Sequence, residues 1–203
     1  NLPDINEKSI ALSVGDIDDD GDIDLLIGNR DEEQNRLYLN EGQGTYVDAT
    51  GSHFVVSGGN TQGVLLVDVD NDLDLDAVIV NLGQQDRVMI NDSMGHFTDQ
   101  TLGRIPIEQT SRSLGIEFAD IDLDGDFDLL VQHEDGARQR ILLNLGIGSG
   151  IFEDRTSPRL DDVWVFGPRQ VIVGDWDRDG YPDMMAINDT HQSQVWMNDG
   201  EGD

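Results

Sequence analysis

One nine-residue pattern occurs four times in this chain of 203 residues: DIDDDGDID at 16–24, DVDNDLDLD at 68–76, DIDLDGDFD at 120–128 and DWDRDGYPD at 175–183. Carboxylates at alternating positions, with a turn in the middle, present oxygen atoms at the spacing a hard cation needs. Ca²⁺ takes six to eight oxygen ligands and tolerates flexible geometry. In each copy, positions 1, 3, 5 and 9 offer side-chain oxygens and position 7 offers a backbone carbonyl. The candidate ligands are therefore Asp16, Asp18, Asp20, Asp22 and Asp24 in the first copy and Asp68, Asp70, Asp72, Asp74 and Asp76 in the second. They are Asp120, Asp122, Asp124, Asp126 and Asp128 in the third, and Asp175, Asp177, Asp179, Tyr181 and Asp183 in the fourth. Tyr181 enters only through its carbonyl. One Ca²⁺ per copy, four in all, is the expectation.

The flanks decide what kind of loop this is. An EF-hand needs a bidentate Glu at position 12 and a helix on either side. Here position 12 is Ile27, Ile79, Val131 and Ala186, each inside a short apolar run. The runs on both sides are β-branched and bounded by turns, so the loop joins two strands of a hairpin.

The first Asp of each copy recurs after 52, 52 and 55 residues, a period that points to propellers and solenoids. Repeats are read at about 9–56, 61–108, 113–160 and 168–203, the last incomplete, within a single domain spanning 1–203. Each repeat runs strand, acidic loop, strand, polar turn, strand, Gly turn, strand. No segment sustains a 3.6-residue apolar period, so no long helix is expected. A four-stranded unit cannot bury both faces alone, and stacking such units radially is the logic of a β-propeller. The second loop carries Leu73 where the first has Gly21. Without the freedom of glycine at the turn, this site is expected to be distorted or weak.

Charge supports the metal reading. The chain carries 42 acidic and 12 basic residues, a net charge of -30, and the four loops hold 20 of the acids. Four Ca²⁺ would return +8. The remaining acidity argues against nucleic acid and anionic membranes as partners, and no apolar run approaches the roughly 18 residues of a membrane span. There is no cysteine, so disulfides play no part. Sites of this kind fill in the millimolar Ca²⁺ found outside cells, which favours an extracellular, cell-surface or periplasmic location.

Catalytic signatures are missing: the sequence has no nucleophile elbow, no P-loop and no H-E-x-x-H. His53, His96, His133 and His191 fall at unrelated phases of the repeat and read as solvated loop residues rather than ligands. Trp164, Trp176 and Trp196 lie in or near the fourth repeat. They read as packing residues, with Trp164 the candidate for an exposed contact and Trp176 a loop residue at a non-ligand position.

These features together resemble the FG-GAP/VCBS repeat family, the calcium-binding blades of integrin-type β-propellers. The resemblance rests on the D-x-D-x-D-G-x-x-D loop with its apolar strand (DIDDDGDIDLLIGN), the L-x-x-N-x-G turn (LYLNEGQG) and the closing aromatic–Asp–Thr stretch (YVDAT, FTDQT, FEDRT). It implies an all-β propeller of four-stranded blades, each loop holding one Ca²⁺ on the residues named above. Four repeats would form a closed small ring, part of a larger propeller, or an assembly of several copies. The functional expectation is a non-enzymatic extracellular calcium-binding protein that presents a protein-binding, adhesion or self-assembly surface. A lectin-like carbohydrate-binding propeller and the non-catalytic region of a larger secreted enzyme are the alternatives.

Overall fold

The computed structural model describes residues 2, 6–54, 58–108, 111–134, 139–146, 148–156, 168–188 and 192–200. It is an all-β structure of antiparallel sheets, one per repeat. The first sheet has the order β1 (Ser9–Gly15), β2 (Asp24–Asn29), β3 (Arg36–Asn40) and β4 (Tyr46–Asp48). The second comprises β5 (Thr61–Val67), β6 (Asp76–Asn81), β7 (Arg87–Ile90) and β8 (Thr98–Asp99). The third comprises β9 (Ser113–Ala119), β10 (Asp128–His133), β11 (Arg140–Asn144) and β12 (Phe152–Asp154). Three strands form the fourth sheet among the described residues: β13 (Pro168–Gly174), β14 (Asp183–Asn188) and β15 (Gln194–Trp196). Each acidic loop joins the first two strands of its sheet, as the apolar flanks require.

Among the described residues, a four-residue helical turn, α1 (Thr50–His53), and a kinked turn, α2 (Thr101–Arg104), in which Leu102 and Gly103 leave the helical conformation, interrupt this pattern. The aromatic–Asp–Thr stretch read as one strand is thus shorter, and its polar residues turn the chain. Asp48 Oδ1 accepts the Thr50 amide at 3.0 Å, and the Thr50 hydroxyl accepts the Leu37 amide of β3 at 3.0 Å. The third repeat does the same with Asp154, Thr156 and Ile141. An arginine that opens β3, β7 or β11 closes the arrangement from the other side, through the pairs Arg36–Asp48, Arg87–Asp99 and Arg140–Asp154. The motif recurs because it ends a blade.

The described chain groups into two compact units. The first comprises Asn1–Asp68 and Asp72–Ser111, the second Val69–Asn71 and Arg112–Asp203. In the first, Leu26, Leu37 and Leu39 of one sheet pack against Val64, Leu66, Ala77, Ile79 and Met89 of the next. Phe54 and Phe97 meet edge to face, with ring centroids 5.2 Å apart. Gly28 is needed there, because a Cβ would lie 2.8 Å from the Thr61 methyl group. The second unit has its own core, with Leu130, Ile141 and Leu143 against Val171, Met184 and Ala186. Trp196 packs on this cluster, as a structural tryptophan should.

One histidine departs from the solvated-loop expectation. His133 is only 5% exposed, with Nε2 buried and without a hydrogen bond. Burial, reinforced by the charge of Arg140, pushes its pKa down to about 4, so the ring is neutral at physiological pH. His53 and His96 stack with centroids 4.0 Å apart, a contact between loops that share no phase of the repeat. His191 and Trp164 lie outside the described residues.

Candidate metal centre

Each acidic loop folds around its own side chains. Position 1 curls the chain back: Asp16 Oδ1 accepts the Asp20 amide at 3.1 Å and its Oδ2 the Gly21 amide at 3.0 Å. The position-6 amide makes the same bond in the other loops, from Leu73 to Asp68, Gly125 to Asp120 and Gly180 to Asp175, at 3.0, 3.1 and 3.1 Å. Position 5 takes the amide of position 7 on its Oδ1, at 2.9–3.1 Å in the pairs Asp20–Asp22, Asp72–Asp74, Asp124–Asp126 and Asp179–Tyr181. These are local Asx turns, which short acidic side chains form readily.

Position 9 is built differently. Asp24, Asp76 and Asp128 are 0% exposed and Asp183 is 1% exposed. Asp24 uses one oxygen for the Ile17 amide (2.8 Å) and the other for the Asn40 amide (2.7 Å). Asp128 does so with Ile121 (2.7 Å) and Asn144 (2.8 Å), and Asp183 with Trp176 (2.8 Å) and Asn198 (2.9 Å). This carboxylate thus ties the loop to the turn after the third strand. A buried carboxylate with both oxygens on backbone amides is also a fixed point from which a cation site can be built.

The structure brings three carboxylates of every loop together. Asp16, Asp18 and Asp24 each place an oxygen within 4.8 Å of the others, as do Asp68, Asp70 and Asp76, then Asp120, Asp122 and Asp128, then Asp175, Asp177 and Asp183. These are positions 1, 3 and 9. The position-5 residues Asp20, Asp72, Asp124 and Asp179 stand outside these trios, one oxygen engaged by the loop backbone and the other available. Asp22, Asp74, Asp126 and Tyr181 at position 7 sit where the chain leaves the turn, and their candidate contribution is the carbonyl.

The donor set fits a hard cation on a second ground. Asp18 and Asp120 each hold a buried Oδ1 with no hydrogen-bond partner. A buried carboxylate oxygen left unpaired is costly, and at position 3 of the repeat a bound cation would supply the partner. Titration tells the same story. Burial raises the pKa of Asp18 and Asp24, and like charges in the loop add to it. In the third loop burial pushes Asp128 up to about 7, against the help of the Asn144 and Ile121 amides.

That shift has a measurable consequence. The folded pKa of Asp128 lies above its unfolded value of 3.8. In the metal-free protein, the stability it contributes is present below 3.8 and lost as pH rises through about 7. A cation must displace that proton, so acid opposes binding. Lowering pH from 7.5 to 5.5 should weaken Ca²⁺ at the third loop by roughly tenfold or more, read from the Gly125 amide in an NMR titration. An affinity flat across that range contradicts the shift.

Leu73 does not open the second loop. It adopts φ +78°, beside +90°, +100° and +98° for Gly21, Gly125 and Gly180, and it makes the same amide bond to Asp68. The distortion expected from sequence is instead stored as strain, in an L-residue held left-handed and 90% exposed. Leu73→Gly should therefore stabilise the protein by about 1 kcal/mol, seen as a rise in the midpoint of denaturant unfolding. A fall would mean the side chain has a role of its own. Position 4 is left-handed too, at Asp19, Asn71, Leu123 and Arg178. Asp and Asn accept that conformation more readily than most residues, a signal present in the first two loops but obscured in the others.

Sequence reasoning placed Asn40 in the L-x-x-N-x-G turn but did not connect it, or Asn91, Asn144 and Asn198, with the acidic loops. They recur 23 or 24 residues after the first Asp of each loop. Their backbone amides bind the position-9 carboxylates, at 2.9 Å for Asn91 on Asp76. The constant phase was the available signal.

With the geometry in place, comparison with known proteins is decisive. The FG-GAP-like repeat family matches residues 16–79 and 68–131, together more than half of the chain and including three of the four acidic loops. The chain belongs to the FG-GAP-like repeat family. No curated protein matches it. Among solved structures, BBS1N in complex with ARL6DN, soaked with lead, is similar with a TM-score of 0.58 at 14% identity, over 97% of this chain and 55% of that one. The exotype rhamnogalacturonan lyase YesX is similar with a TM-score of 0.54 at 14% identity, over 90% of this chain and 40% of that one. This FG-GAP-like chain thus spans about half the length of the first and less of the second, and the likeness is one of fold. Among the described residues no helix is long and apolar enough to cross a membrane.

Proposed function

We propose that this FG-GAP-like protein is a non-catalytic, extracellular calcium-binding repeat protein whose blades are propeller units held by Ca²⁺. The observation that carries the proposal is the trio of carboxylates at positions 1, 3 and 9 of all four loops, with the position-3 oxygens of Asp18 and Asp120 buried and unpaired. Asp16, Asp18, Asp20 and Asp24 would hold the ion in the first loop with the Asp22 carbonyl, and the corresponding residues in the others. The ion supplies positive charge that lets buried carboxylates stay ionised beside one another. It performs no chemistry in this reading. The position-9 carboxylates are engaged by backbone amides, which suits a structural site better than an open catalytic one.

The surface that such a protein presents is the second part of the proposal. On β1, Ile10, Leu12 and Val14 are 46%, 60% and 53% exposed. Leu12 pairs across the ladder with Ile27 and Val14 with Leu25, so these residues form one apolar sheet face. A soluble chain rarely leaves such a patch open without a use for it. We assign it to self-association or to docking of a protein partner. Light scattering in millimolar Ca²⁺ tests this. Assembly above 22.4 kDa that is lost in Leu12→Asp supports it, and a monomer in Ca²⁺ whose mass and protein-binding are indifferent to that change contradicts it.

A further inference from the structure

The loops are not self-sufficient. In the first unit, the Asn91 carboxamide donates to the Ile17 carbonyl at 2.8 Å across 74 residues of sequence, and Asn91 is 4% exposed. In the second unit, the Asn198 carboxamide donates to the Ile121 carbonyl at 3.0 Å across 77 residues, and the Asn144 carboxamide to the Val69 carbonyl at 2.9 Å. Each of these carboxamides donates to position 2 of the preceding acidic loop, and each also donates, at 3.2–3.4 Å, to the position-8 carbonyl of its own loop, at Leu75, Phe127 and Pro182. Position 2 lies between ligand positions 1 and 3. Its amide is already fixed on the position-9 carboxylate, Ile17 on Asp24 at 2.8 Å and Ile121 on Asp128 at 2.7 Å. With its carbonyl also held, both peptide planes between the first two ligands are locked.

We infer that Asn91 and Asn198 are positioning residues for the metal site of the preceding repeat, so that each site is completed by a side chain one blade further along. The inference rests on the calcium reading above and goes beyond it: the ion's site becomes a joint between consecutive repeats. Each asparagine then serves two sites. The backbone amide of Asn198 supports its own loop through Asp183 (2.9 Å), and its carboxamide makes its shorter bond to the loop before, at 3.0 Å against 3.3 Å to Pro182. By reciprocity, an ion that fixes position 2 also tightens the bond to the following repeat.

The loop glycines allow each site to be read separately, because the amides of Gly21, Gly125 and Gly180 donate to the position-1 carboxylates of loops one, three and four. The test is a Ca²⁺ titration of the full ¹⁵N-labelled chain followed at these three amides, in the unaltered protein and in Asn198→Ala and Asn91→Ala. Outer partners of ligand-bearing groups are typically worth about 10–100-fold in metal affinity. Asn198→Ala should raise the apparent Kd at Gly125 by about that factor and leave Gly21 unmoved. Gly180 should change less than Gly125, since the backbone amide that serves Asp183 remains and only the longer bond to the Pro182 carbonyl is lost from that loop. Asn91→Ala should weaken Gly21 and spare Gly125 and Gly180, which keeps the test open if one variant fails to fold. Weakening at Gly180 with Gly125 unchanged in Asn198→Ala overturns the cross-repeat assignment while leaving calcium binding intact. No Ca²⁺ response at any of the three amides in the unaltered chain overturns the calcium reading, and this inference with it.

Discussion

Replacing Asp24 with alanine is expected to cost about 2–6 kcal/mol, more than any other single change in the first loop. Asp24 is fully buried and its two oxygens accept the Ile17 and Asn40 amides. Alanine leaves both donors buried without partners, at about 1–3 kcal/mol each, before any loss of a bound ion. At about 2–4 °C per kcal/mol for a chain of this size, the melting temperature should fall by roughly 5–20 °C at a fixed Ca²⁺ concentration. Asp20→Ala provides the contrast. Asp20 is exposed and its side chain accepts a local bond from the Asp22 amide, so its loss should move the melting temperature by only a few degrees even if it lowers Ca²⁺ affinity. Thermal unfolding followed by circular dichroism distinguishes the two. Equal effects at the two positions would mean that the position-9 carboxylate is merely a ligand and not the tie between loop and third strand.

Chelation should produce the other large effect. Ca²⁺ sites of extracellular modules have dissociation constants of about 10⁻⁴–10⁻³ M. At ten times that concentration each site stabilises the fold by about 1.4 kcal/mol, and four independent sites by about 6. That is comparable with the whole stability of many domains, about 5–15 kcal/mol. Stripping the metal should lower the melting temperature by roughly 10–20 °C and broaden the transition as the loops lose their cation. Mg²⁺ should restore it only poorly, because it demands small octahedral cages and sheds water reluctantly. An unchanged transition in chelator contradicts a structural role for Ca²⁺.

The parts legible in the sequence are those set by local rules. The loop has a fixed phase, the apolar runs beside it alternate as strands, and the period gives one sheet per repeat. What stayed hidden depends on partners far along the chain. Asp24 looks like any other acid of its loop, and only burial and the Asn40 amide separate it from Asp20. The reach of Asn91 to Ile17 crosses 74 residues, beyond any window of periodicity. His133 was read as a solvated loop residue because its phase is not repeated, yet it ends β10 and is buried there among neighbours that no local pattern names. Leu73 shows the opposite limit. The local rule, that the turn wants glycine, correctly marks the strain, but the Asp68 and Asp72 carboxylates hold the loop backbone in place regardless.

Calorimetric titration of the metal-free chain with Ca²⁺ at pH 7.5 addresses the central claim most directly. Carboxylate trios that act as structural calcium sites predict close to four ions bound per chain, with a parallel gain in thermal stability. Absence of binding up to about ten times the weakest expected dissociation constant, in a chain that is folded throughout, would contradict it.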